Sequence, residues 1–273
     1  MKVALIPPVP ELDNFGRGDF HLLLSHLSKH QEYRRHYFAQ RQKGAYLVLD
    51  NSAHEFGAGQ SAEHLVAQAV YYQAQEVVVP DVLDNCEATI DSAIASLEAW
   101  FEGESRSMKD LNPSLMYVPQ GKDYDDWREC LVTLVRLHRH QSRHHAIRRD
   151  FVIGISKDYE VWEGGLLRLL ENDIYPLVRD HVYRGVKVSV HLLGWGRDLW
   201  ALNEISRTCP WIRSTDSAKP FVYALSGIEL DDSDRSSSPE YPGRPEDYFE
   251  RTFDIQQARL AHANVGMFRK QAQ

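Results

Sequence analysis

Residues 45–81 read AYLVLDNSAHEFGAGQSAEHLVAQAVYYQAQEVVVPD. The stretch opens on one apolar run, Tyr46–Leu49, and closes on another, Val77–Val79. Neither alternates polar with apolar as a half-exposed strand would. Between them Ser61 stands at a helix N-cap position, ahead of Leu65, Val66, Ala69 and Val70 on one helical face. The local unit is therefore strand, helix, strand, the signature of parallel strands covered on both faces.

The unit recurs along the chain. Short apolar runs at Val3–Ile6, Leu115–Val118, Phe151–Ile155, Val186–Leu193 and Ile212–Thr215 bring the predicted strands to seven. Helical spacing returns in Trp127, Cys130, Leu131, Leu134 and Val135. No Gly-rich G-x-G-x-x-G turn follows the first strand, which favours a closed barrel over an open doubly wound sheet. The reading predicts an α/β fold, a TIM-like (β/α)8 barrel, as one domain over residues 1–273. The eighth strand is assigned to Phe221–Leu225, which leaves no room for a helix after the seventh, so the barrel is expected to be irregular at its last strand. Residues 231–247, DDSDRSSSPEYPGRPED, read as an exposed loop, and a terminal helix over 248–268 closes the fold.

Composition narrows the function. The chain has 273 residues, 43% of them apolar, with 31 Lys and Arg against 39 Asp and Glu, for a formal charge of −8. That make-up excludes a disordered or fibrous chain and argues against coating nucleic acid by bulk charge. Cys86, Cys130 and Cys209 are far apart, with no C-x-x-C, so neither a disulfide framework nor a zinc site is expected. No signal peptide or spanning segment is read, and a cytoplasmic protein with no membrane partner is expected.

In such a barrel the substrate sits where the strands end. There the sequence places Asp50-Asn51-Ser52, Pro80-Asp81, Pro119-Gln120-Gly121, Gly154-Ile155-Ser156-Lys157, Gly194-Trp195-Gly196 and Ser214-Thr215-Asp216-Ser217. Three carboxylates in one mouth repel one another unless protonated, hydrogen-bonded or bound to a cation, so their presence suggests a use. One use is metal binding, although His191 is the one histidine near a strand end and a zinc hydrolase would want more. The other is glycosyl chemistry, with one carboxylate attacking an anomeric carbon and another moving the proton of the leaving group.

The ordered set VLDNS, VVPD, VPQG, GIS, LLGWG and STDS, spanning about residues 45 to 220, resembles the tRNA-guanine transglycosylase superfamily. The compact phage enzymes that insert 7-deazaguanines into DNA are the nearest in form. The resemblance implies that Asp216 is the nucleophile at C1′ and that Asp50 is the acid/base group. It implies that Asp81 reads the purine N1–H and 2-amino group, and that Gln120, Gly121, Gly154 and Gly194 contact the base. A donor-rich guanine edge does suit a carboxylate, and a carbonyl suits an amide or peptide N–H. Phe56 is the candidate stacking aromatic, and Trp195, Arg197 and Lys219 the candidate contacts to nucleic acid.

The C-x-C-x-x-C zinc motif of the tRNA enzymes is missing, and Asn-Ser-Ala-His-Glu-Phe follows Asp50 in place of their Ser-Gly-Gly. The resemblance thus implies DNA and a free 7-deazaguanine base as partners, with no cofactor and no metal. A tRNA enzyme without accessory domains, a non-catalytic nucleic-acid-binding barrel and a metal hydrolase remain as alternatives. Blander roles stand beside these assignments. Asp81, with Asp84 competing, or Asp216 could be helix caps, and the glycines could simply allow turns. The run HRHQSRHHAIRR, 138–149, reads as an exposed basic loop on the opposite face, and Tyr33-Arg34-Arg35-His36-Tyr37 as a solvated helix surface.

Overall fold

The computed structural model describes residues 1–102, 106–144, 150–162, 165–182, 186–195, 198–232 and 245–273. Its centre is an all-parallel sheet of eight strands: β1 (Lys2–Leu5), β2 (Phe20–Leu24), β3 (Tyr46–Asp50), β4 (Glu76–Val78), β5 (Ser114–Tyr117), β6 (Phe151–Ser156), β7 (Val188–Leu193) and β8 (Ser214–Ser217). Hydrogen-bonded order runs β1-β8-β7-β6-β5-β4-β3-β2, and helices surround the strands. The fold is the TIM-like barrel expected, closed except for one seam. At that seam β1 lies beside β2 with no ladder pairing between them among the described residues.

The irregularity is not where the sequence suggested. Phe221–Leu225 belongs to the helix Lys219–Leu225, opened by Pro220 directly after β8. β8 pairs with both β1 and β7. The strand missing from the sequence reading is β2. Its five residues, Phe20 to Leu24, are buried throughout, and Leu, unlike Val or Ile, carries no strand preference that would mark them. Tyr33, on the following helix Gln31–Gln42, accepts the Leu24 N–H through its hydroxyl at 2.8 Å and satisfies the end of that strand. Tyr33, His36 and Tyr37 are buried there, while Arg34 and Arg35 face solvent.

The helix after β3, Ala62–Tyr72, begins at the expected cap, where Ser61 Oγ accepts the His64 N–H at 3.3 Å. Its buried face is Leu65, Gln68, Ala69 and Tyr72, so Val70 is turned out and 41% exposed. In the helix Tyr124–His144 all five predicted apolar positions are buried. That helix also takes in 138–144, which corrects the basic-loop reading. His138 is buried against Phe151 and meets the Tyr117 hydroxyl at 3.2 Å, and residues 145–149 lie outside the described residues. Most of the predicted 231–247 loop, residues 233–244, also lies outside them. The terminal helix is Ile255–Gln271, starting later than expected because Asp254 and Gln257 form a capping box. Among the described residues no helix is long and apolar enough to cross a membrane.

At the N-terminal end of the barrel Glu76, with no exposed surface, takes both terminal nitrogens of Arg213 at 2.6 and 2.9 Å and the Tyr46 hydroxyl at 2.9 Å. The Arg213 guanidinium also lies 5.5 Å from the Phe20 ring centroid. This knot ties β8 to β2, β3 and β4 on either side of the unpaired seam.

Candidate active site

Ladder register puts the expected residues at one end of the barrel: Asp50 sits opposite Leu24 at the last position of β2, and Asp216 opposite Ala4 near the end of β1. Because the strands are parallel, Asp50, Asp81 and Asp216 lie at the same end of the barrel, its mouth, and the charges of Asp216 and Asp81 add to what raises the Asp50 carboxyl. Burial, then the charge of Glu55, holds the Asp50 carboxyl well above the usual carboxylate range, against the pull of the Ser52 N–H. That N–H lies 2.7 Å from Asp50 Oδ2. Ser52 reaches it through a left-handed backbone, φ 60°, rare for a residue with a side chain. Its hydroxyl is pinned by Ser25 Oγ and His26 Nδ1, each at 2.9 Å, which tie the end of β2 to the turn carrying Asp50.

Asp81 follows β4 and is 3% exposed. Asn51 Nδ2 donates to its Oδ1 and Gln120 Nε2 to its Oδ2, each across 2.6 Å. The cap of the next helix is instead Asn85, whose side chain accepts the Ala88 N–H at 3.0 Å, so Asp81 is not a capping residue. Burial pushes the Asp81 carboxyl up to about 6, with the two amides opposing the rise. Gln120 is held in turn by the Tyr159 hydroxyl at 3.4 Å.

Asp216, also 3% exposed, likewise caps nothing. Its Oδ1 accepts from His191 Nε2 at 2.9 Å and from the Gly194 N–H at 3.0 Å. Gly194 stands in the left-handed region, φ 61°, which aims that N–H. Gly154 has a packing role: a Cβ there would lie 2.9 Å from both the Leu193 and Val118 side chains. Gly121 is buried against the first turn of the helix Tyr124–His144, where a Cβ would overlap the Trp127 backbone.

The remaining expected contacts divide. Phe56 is 61% exposed at the mouth, edge-on to His26 with centroids 5.7 Å apart. Trp195 is 1% exposed, its indole N–H donating to Asp198 O at 3.3 Å, so it is core and cannot meet a nucleotide. Lys219 is 2% exposed, and its ammonium donates to the Tyr223 hydroxyl at 3.0 Å. Its place is inside the fold, which also corrects its assignment as a contact to nucleic acid. Arg197 lies outside the described residues.

Two mouth residues escaped the sequence reading. Glu55, on the one-turn helix Ala53–Phe56, has its carboxyl raised by burial and by the charge of Asp216, with His54 opposing. His26 follows the unrecognised β2, and burial, then the charges of Lys29 and His30, lowers it to about 4. It is therefore neutral near pH 7, with Glu55 Oε2 4.0 Å from its Nδ1. Among the described residues no three His, Cys, Asp or Glu side chains are placed to hold a metal ion. No family model matches the chain, and no curated protein matches it.

Proposed function

We propose that the chain is a base-exchange glycosyltransferase that replaces guanine in a polynucleotide, DNA by preference, with a free 7-deazaguanine. The observation that supports this best is the contrast between two carboxyls at one mouth. Asp216 has one oxygen occupied by two donors, while Asp50 is held toward its protonated form. That is the division of labour a double displacement at a sugar carbon requires.

In this reading the target nucleotide is flipped out of the stack, since its glycosidic bond is otherwise shielded. Asp216 Oδ2 attacks C1′ as the bond to guanine breaks, and the Asp50 carboxyl gives its proton to the departing base. The incoming base then loses a proton to Asp50 as its nitrogen displaces Asp216 from C1′. Two inversions restore the original configuration. Asp81, fixed by Asn51 and Gln120, accepts hydrogen bonds from the adjacent donors of the guanine edge, and exposed Phe56 offers a stacking face.

Incubation with labelled guanine and either DNA or tRNA, followed by a denaturing gel, tests the reaction and the polymer together. The expected result is label in DNA and a slowly migrating adduct that Asp216→Ala abolishes. Label in tRNA alone would change the polymer, and binding to both without label or adduct would overturn the reading.

A further inference from the structure

Asp216 is the end of a chain of buried polar groups that runs up the barrel from the Glu76–Arg213 pair. Arg213 Nε donates to Ser214 Oγ at 3.0 Å. Ser214 Oγ lies 2.7 Å from His191 Nδ1, and His191 Nε2 lies 2.9 Å from Asp216 Oδ1. Ser214 and His191 have no exposed surface. His191 and Ser214 are ladder partners of β7 and β8, so the pairing of the strands itself brings the ring to the hydroxyl.

The direction of these bonds follows from the chemistry of the groups. A guanidinium can only donate, so Arg213 occupies a lone pair of Ser214 and leaves its single hydrogen for another acceptor. The partner within reach is His191 Nδ1, which must then carry no proton. Nε2 therefore bears the ring hydrogen and donates it to Asp216. The opposite tautomer would set a bare ring nitrogen against a carboxylate oxygen at 2.9 Å. An imidazolium would strand the Ser214 hydrogen in a site closed to water.

We infer that His191 is a positioning residue for Asp216, its tautomer locked by Arg213 through Ser214. The lock fixes Oδ1 and leaves Oδ2 as the oxygen presented to the sugar carbon. The inference rests on the proposed role of Asp216, but the hydrogen-bond direction can be measured independently of that role.

Two measurements test it. Nitrogen-15 NMR of the labelled full chain should show His191 Nε2 protonated and Nδ1 bare, with the Nδ1 resonance moving in Ser214→Ala as it loses the hydroxyl that donates to it, while Asp216 still holds the Nε2 hydrogen. The reverse tautomer, or no change in Ser214→Ala, overturns the lock. Single-turnover adduct formation should fall about 100-fold in His191→Phe, the size of effect expected for a misplaced reacting atom, with the polynucleotide KM unchanged. His191→Gln, whose amide can still donate to Oδ1, should recover most of the rate. A His191→Phe rate within twofold of the native one overturns the positioning role. If His191→Phe does not fold, Gln and Ser214→Ala carry the comparison. Absence of any adduct with the native protein defeats the base-exchange reading instead, and the NMR result then decides the lock by itself.

Discussion

Gln120 and Asp81, 39 residues apart in the chain, meet across 2.6 Å where two neighbouring strands end. The amide holds a carboxyl that burial drives up to about 6, in the place proposed to read the guanine edge. Since the unfolded chain titrates near 3.9, it binds fewer protons than the native state between about pH 4 and 6. Stability from this group is complete below that window and is lost as pH rises through it, by about 3 kcal/mol for two units at 1.36 kcal/mol each. Asp81→Asn does not titrate. Denaturant unfolding should therefore show the variant gaining on the native protein by about that amount between pH 4 and 7, and a pH-independent difference contradicts the argument. Guanine affinity should change in the opposite sense, rising with pH as Asp81 ionises, because the neutral acid carries an O–H donor where the anion offers an acceptor to the guanine N–H groups.

The charge of Glu55 raises the Asp50 carboxyl on top of burial. Glu55→Gln removes a negative neighbour, so the Asp50 carboxyl should lose its proton at lower pH. The alkaline limb of single-turnover adduct formation, which needs the protonated acid, should move down accordingly. Asp50→Asn should slow adduct formation by about 10²–10⁴-fold, the usual worth of general acid catalysis. An unmoved limb in Glu55→Gln would mean that another group supplies the proton.

Gly194 and Gly154 test different things. At Gly194 a Cβ would meet open space, so Gly194→Ala costs only its left-handed backbone, about 1–2 kcal/mol, but shifts the N–H that holds Asp216. At Gly154 the added carbon presses on Leu193 and Val118, an overpacking cost of about 1–3 kcal/mol. Adduct rates measured beside melting curves should therefore show Gly194→Ala losing more activity per degree of melting temperature than Gly154→Ala.

How far the sequence alone reached follows from the kind of signal each residue leaves. Asp50, Asp81 and Asp216 were legible because each is a polar residue placed where an apolar run stops, and barrels put their sites there. Gln120 came with them. β2 was not legible, since a Leu-rich run of five reads as helix as easily as strand. His26, which follows it, was lost with it. Trp195 and Lys219 sit at strand ends by position yet point inward, and orientation is decided by packing rather than by spacing. His191 stood out as a polar residue in an apolar strand. Its role depends on the register that places Ser214 opposite, and one sequence does not contain that register.

Glu76 and Arg213 connect the foundation of the barrel, through Ser214 and His191, to the proposed nucleophile Asp216. Glu76 is wholly buried, so Arg213→Met alone strands a charge and should cost about 3–5 kcal/mol of stability. A buried pair is worth far less when both charges go. Glu76→Leu with Arg213→Met should therefore recover most of the loss, with the Tyr46 hydroxyl turning to solvent. The relay does not recover with it, because Ser214 still lacks the donor that directs its hydrogen to His191. The double variant should melt close to the native protein and still form adduct slowly. If adduct formation returns together with stability, Arg213 acts on the fold alone and not on the orientation of Asp216.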